Sequence, residues 1–165
     1  MKLYFLRHAT ASDFASTDAE RELTNEGTEE AHIAGAALAA LGAKPAHVFS
    51  SPLVRALETA KIAAKELRFT GQIVVLDELK PGKTTSSLLR ELKSHEAAGD
   101  LLLTGHMPSL AENVAVLTGA EHTESLALGK GGIACVELEE LRPGGGQLRW
   151  LMRQAQLRQI AARTK

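Results

Sequence analysis

Short apolar runs alternate along the chain with longer segments whose apolar positions recur every three or four residues. Runs at 2–6, 47–50, 72–76, 101–104 and 133–138 read as strands. Between them, 24–41 places Ala31, Ala34, Leu38 and Leu41 on one helical face, with Thr24 as N-cap and Gly42 just past the end. After the second strand, Leu53, Leu57, Ala60, Ala64 and Leu67 share helical spacing, with Ser51 as N-cap and Pro52 as first helical residue. A further helix is expected over 86–92, and another opens at Pro108 and Ser109 with Leu110, Val114 and Leu117 on one face. This alternation predicts an α/β fold, a three-layer sandwich whose mostly parallel central sheet is covered by helices on both faces. Beyond Leu138, the RPGGGQ turn followed by LRWLM reads as an antiparallel hairpin partner, with Trp150 as a packed strand residue. From Gln154 the tail, carrying Arg158, Arg163 and Lys165, reads equally as a short helix or a frayed end. No repeat, low-complexity stretch or linker divides the chain, so a single domain over 1–165 is expected.

Composition narrows the function. With 165 residues, 44% hydrophobic content and a net charge of −1, the chain supports one sizeable core and offers no electrostatic case for nucleic acid. Lys2 is followed by only four apolar residues before Arg7, and no apolar run reaches membrane-spanning length, so a cytoplasmic protein with no membrane association is expected. Cys135, the sole cysteine, lies in the apolar run IACVEL and reads as an inert packed thiol. Neither HExxH nor HxH with a downstream Asp occurs, so no metal or other cofactor is expected. His32, His47, His95 and His122 read as solvated or capped, and Glu26, Glu29 and Glu30 as acids that favour a helix N-terminus.

The candidate chemistry lies where apolar runs end. The first strand drives straight into Arg7 and His8. A neutral imidazole can attack phosphorus, and a guanidinium can neutralise and orient phosphate oxygens with its planar fork of donors. An isolated Arg-His pair is more often only the polar end of a strand. Two further signals change its weight. Arg55 falls in the first turn of the helix after the second strand, where free N–H groups favour an anion. His106 ends the strand that closes on Gly105, again beside a helix start. Ligands of such sheets collect at the carboxyl ends of strands.

Taken in order, RHA, LTNEG, SPLVRALETA and GHMP resemble the histidine phosphatase superfamily, also called phosphoglycerate mutase-like or RHG, over roughly residues 2–139. Chain length and motif spacing are most similar to its SixA-type phosphohistidine phosphatase branch. The resemblance implies a phosphoglycerate mutase-like fold and catalysis by His8, Arg7, Arg55 and His106. In it, His8 is the nucleophile that becomes phosphohistidine, Arg7 and Arg55 clamp the phosphate, and His106 donates to the phosphate and its transition state. Arg21, before the LT motif, matches an arginine that reaches substrate in this branch; a solvated charge in a polar loop explains it equally well. Ala9 replaces the family's glycine and Glu58 its common glutamine; Glu58 is given no role. No general acid is marked by a motif, and the candidates are Glu78, Asp77 and Asp18. The arginines are expected to keep His8 neutral near pH 7.

The expected activity is a phosphatase that removes phosphate from phosphohistidine on a protein or peptide, for example a histidine phosphotransfer domain in signal transduction, working as a monomer or weak homodimer. Two alternatives stand beside it: a phosphatase or mutase for a small phosphomonoester such as a sugar phosphate or nucleotide, and a noncatalytic phosphate-binding module. The connection LDELKPGKT is too short for a lid, which favours a site open to a phosphorylated side chain.

Overall fold

The computed structural model describes residues 1–163. Strands β1 (Lys2–Arg7), β2 (His47–Ser50), β3 (Ile73–Val75), β4 (Leu101–Gly105), β5 (Ile133–Leu138) and β6 (Gly146–Met152) form one sheet in the order β3-β2-β4-β1-β5-β6. The first four in that order run parallel, β5 is antiparallel to β1, and β6 is antiparallel to β5. Helices α1 (Asn25–Ala40), α2 (Val54–Glu66), α3 (Thr85–Leu92), α4 (Ser109–Thr118) and α5 (Gln154–Ala162) cover it. The tail is thus helical through Ala162, while Lys165 lies outside the described residues.

The pleat of β1 sorts the layers, because successive side chains point to opposite faces. Leu3 and Phe5 pack with Leu88 and Leu92 of α3 and Leu110, Val114 and Leu117 of α4. Tyr4 and Leu6 face the other way, toward Ala34 and Leu38 of α1, Ala60 and Ala63 of α2, and Leu157 of α5. This is the three-layer α/β sandwich expected from the pattern. The second core is built largely from alanine because α1 and α2 approach closely: a Cβ at Gly35 would lie 2.7 Å from the Ala63 Cα. Cys135 is buried in this layer, where desolvation pushes its thiol up to about 11 and makes it a packing residue.

Local details correct four expectations. Leu41 is 42% exposed, since the helix has already ended at the turn into Gly42 (φ 76°). α2 starts at Val54 with Leu53 as its cap, so Ser51 and Pro52 precede the helix. β3 is shorter than the apolar run 72–76, and β6 begins at Gly146 with the close of the glycine turn. Among the expected caps, Thr24 accepts a hydrogen bond from the Gly27 N–H at 3.0 Å.

Candidate active site

Strand register assembles the site. β1 pairs with β4 as Arg7↔Gly105, and β2 with β4 as Ser50↔Thr104, so His8, Ser51 and His106 leave the sheet side by side at its carboxyl edge. The His8 N–H donates to the Gly105 carbonyl and the Ser51 N–H to the Thr104 carbonyl, both at 3.0 Å, which continues the ladder by one residue. The His8 and His106 rings lie 5.1 Å apart between centroids. Arg55, from the first turn of α2, is buried against them.

His8 is held in one tautomer. Its Nδ1 lies 2.8 Å from the Ala9 carbonyl, which can only accept, so Nδ1 carries the proton and Nε2 keeps a lone pair. That lone pair faces the Arg55 Nε–H at 3.4 Å. Burial lowers the His8 pKa to about 4, and the charges of Arg55, Arg7 and Lys130 push the same way against the Ala9 hydrogen bond. The ring is neutral at neutral pH, as expected, but desolvation is the larger cause and the arginines the smaller. His106 is lowered further, to about 3, first by burial and then by His8 and Arg55. Its Nε2 meets the Ser51 hydroxyl at 2.8 Å, while its Nδ1 is buried with no protein partner. The Ser51 hydroxyl accepts from the Leu53 N–H at 3.3 Å, ahead of α2, and also orients this second imidazole.

Ala9 sits where the family has glycine, and its N–H donates to the Thr59 hydroxyl at 3.1 Å. Thr59 in turn donates to the Arg55 carbonyl at 2.7 Å, which ties α2 to the residue that fixes His8. Among the described residues, Arg68 is the only non-glycine with positive φ, so the backbone at Ala9 does not require glycine's freedom. One acid of α1 and one of α2 hold the loop that follows β1. Glu30 accepts from the Thr10 N–H at 2.8 Å, and Glu58, which the sequence left without a role, accepts from the Leu23 N–H at 2.8 Å.

The two arginines differ in how they are held. Arg7 gives one terminal N–H to the Leu128 carbonyl at 2.8 Å and keeps a buried Nε–H with no acceptor, an unpaired donor that a phosphate oxygen would satisfy. Arg55 gives one N–H to the Asp18 carbonyl at 2.7 Å and another to the Asp18 carboxylate at 3.1 Å. A guanidinium has five N–H groups, so beyond these and the Nε–H on His8 it retains two for an oxyanion. Arg21 does not touch either imidazole. It bonds the Ser12 carbonyl at 2.7 Å, Asp13 at 2.9 Å and Asp18 at 3.2 Å, and so reaches the site only through Asp18.

The three acid candidates separate clearly. Asp77 pairs with Lys80 at 2.9 Å on the short connection after β3. Glu78 is half-buried beside it and makes no ion pair among the described residues. Asp18 is at the site, where desolvation is the largest single influence and raises its pKa, but the hydrogen bonds and charges of Arg21 and Arg55 together outweigh this and hold the carboxyl below its usual value. A carboxylate kept ionised is a poor proton donor near neutrality. Sequence reasoning missed Ser51 as a partner of His106, Thr59, and Lys130, whose charge reaches His8 from the glycine turn before β5. The threonine four residues after Arg55 was the available signal for one of them.

No group of three or more His, Cys, Asp or Glu side chains among the described residues is placed to hold a metal ion, and no helix is long and apolar enough to cross a membrane. Residues 3–84 match the family model of the histidine phosphatase superfamily, branch 1. The phosphohistidine phosphatase SixA of Escherichia coli is 27% identical over 164 residues, 98% of this chain and 99% of that protein. A solved structure of the protein histidine phosphatase SixA complexed with tungstate superposes with a TM-score of 0.87 at 27% identity, covering 95% of this chain and 99% of the other. The mitochondrial serine/threonine-protein phosphatase PGAM5 of Xenopus tropicalis is 35% identical over 89 residues, 54% of this chain but 28% of its own. A Picosynechococcus protein of uncharacterised function is 37% identical over 138 residues, 81% of this chain and 82% of its own length. With the family model, a relative matched over 99% of its length and a superposed structure in agreement, the chain belongs to the histidine phosphatase superfamily.

Proposed function

We propose that this protein is a phosphatase that works through a phosphohistidine on His8 and that its substrate is phosphohistidine on another protein or peptide. The observation that carries the reading is the His8 tautomer: Nδ1–H bound to the Ala9 carbonyl leaves the Nε2 lone pair free of any proton and aimed at the Arg55 guanidinium. In the first step Nε2 forms a bond to phosphorus as the substrate's P–N bond breaks. Arg7, Arg55 and a His106 N–H stabilise the spreading charge on the three equatorial oxygens. Water then attacks phosphorus, the bond to His8 breaks, and inorganic phosphate leaves.

The nature of the leaving group supports the substrate assignment. An alkoxide needs a proton donor, and the one carboxyl among the described residues that touches the clamp, Asp18, is held ionised. A phosphoimidazole protonated on its other ring nitrogen departs as neutral imidazole and needs no acid. The rim favours a macromolecular substrate, since Phe14 is 95% exposed on the same loop that carries Asp18 onto Arg55. The names of two relatives, phosphohistidine phosphatase and serine/threonine-protein phosphatase, agree with a phosphoprotein substrate.

A turnover panel tests this. A phosphohistidine peptide should exceed sugar phosphates and nucleotides in kcat/KM, and faster hydrolysis of a small sugar phosphate would hand the assignment to a small-phosphoester phosphatase.

A further inference from the structure

The arginine clamp carries a negative charge of its own. The Asp18 carboxylate lies 3.1 Å from one Arg55 nitrogen and 3.2 Å from one Arg21 nitrogen, and its side chain is 65% exposed on the rim. Its backbone carbonyl holds a second Arg55 nitrogen at 2.7 Å, so the loop is docked on the guanidinium at two points. Two Arg55 N–H groups remain for an oxyanion, so a phosphoryl group can bind without displacing Asp18. The carboxylate then lies across one guanidinium from the phosphoryl oxygens, beside the path to solvent. Its charge already reaches His106 from this position.

We propose that Asp18 sets the charge specificity of the phosphoryl site: it disfavours substrates that carry a second acidic group next to the phosphoryl and favours leaving groups that are neutral or cationic. Resting on the phosphoryl-site reading above, this deepens it, because a protonated phosphoimidazole places a cationic ring next to its phosphoryl group, whereas phosphorylated sugar acids and bisphosphates place a second anion there. Arg21 belongs to the device as the group that keeps Asp18 seated and ionised. Asp18 acts through position and field and takes no part in bond making.

Two benzylphosphonates, neither of which can be hydrolysed, isolate the charge from the chemistry: one with a 4-aminomethyl and one with a 4-carboxy substituent. Calorimetric Kd values at low salt should favour the ammonium compound by on the order of tenfold for charges within a Debye length. Asp18→Asn keeps an acceptor for Arg55 and removes the charge, and should collapse the ratio toward one. In the unmodified protein, 0.5 M salt should narrow the ratio, which gives an answer even where the variant folds poorly. An equal loss of affinity for both compounds in Asp18→Asn, or a ratio near one in the unmodified protein at low salt, overturns the proposal. Should neither phosphonate bind, the clamp itself is lost and the proposal with it. A charge-selective site that nevertheless prefers small cationic phosphoesters to phosphohistidine would refute the substrate assignment and leave the role of Asp18 standing.

Discussion

Gly27→Ala should damage both stability and catalysis, although it replaces a helical glycine with the best helix former. A Cβ at Gly27 would lie 1.9 Å from the Thr10 carbonyl oxygen and 2.8 Å from its carbon. Backbone on one side or the other must therefore move by roughly 1 Å to restore van der Waals contact. The Thr10 segment is pinned on the remaining sides: its carbonyl accepts from the Thr24 N–H at 3.0 Å and its N–H donates to Glu30 at 2.8 Å. Overpacking costs about 1–3 kcal/mol, strain on those two hydrogen bonds adds about 1 kcal/mol each, and helix propensity returns about 1 kcal/mol. The net is a loss of about 3 kcal/mol, or a fall in Tm on the order of 10 °C for a chain of this size. Thr10 adjoins Ala9, whose carbonyl fixes the His8 tautomer, so a shift of this size should also lower kcat on the order of 10²-fold. Denaturant unfolding and steady-state kinetics on Gly27→Ala provide the assay. Gly129→Ala, where an added Cβ meets nothing within 4 Å, is the control. A Gly27→Ala protein within 1 kcal/mol of the parent and with unchanged kcat would show that α1 does not press on the nucleophile loop.

Arg7→Ala and Arg55→Ala should each lower kcat/KM by on the order of 10²–10³ on the small and the protein substrate alike, as loss of a preorganised donor does; a change confined to the protein substrate would place the arginine in docking. Phe14→Ser should raise KM for a phosphoprotein and leave a small substrate unchanged, measured by parallel kinetics; equal effects on both would remove the ring from docking. Both imidazoles should remain neutral at pH 5.5 in an NMR titration of the ring nitrogens, because the folded values are about 4 and about 3. Below the unfolded value of about 6.5 the unfolded chain binds more protons than the native one, so stability is full above that pH and falls as pH drops toward 4, on the order of 3 kcal/mol per ring. A ring titrating near 6.5 in the native protein would contradict the burial argument.

The sequence was legible where one physical rule dominates a segment. The apolar run 2–6 and the caps at Thr24 and Gly42 give β1 and α1 nearly to the residue, and Arg7, His8, Arg55 and His106 stand at strand ends or a helix start by the same logic. Legibility stopped at contacts that only tertiary structure creates. Ser51 in sequence looks like a cap for α2, but register places it beside His106, whose ring its hydroxyl also meets. Glu30 reads in sequence as an acid that favours a helix N-terminus and Glu58 has no role, yet each accepts a backbone N–H of the loop that follows β1. Asp18 is in sequence one of three candidate acids with no motif around it; its neighbours Arg21 and Arg55 make it a fixed charge. The glycine of LTNEG carries no chemistry, and its reason is visible only once α1 is laid against Thr10.

The central claim is that His8 receives the phosphoryl group on Nε2. It is tested most directly by mixing the enzyme with a phosphohistidine peptide, quenching in alkali within milliseconds, and mapping the adduct by mass spectrometry and phosphorus NMR. The account predicts an acid-labile, alkali-stable phosphoramidate on His8 Nε2 that is absent in His8→Ala. An undiminished adduct in His8→Ala, or attachment at Nδ1, would contradict it.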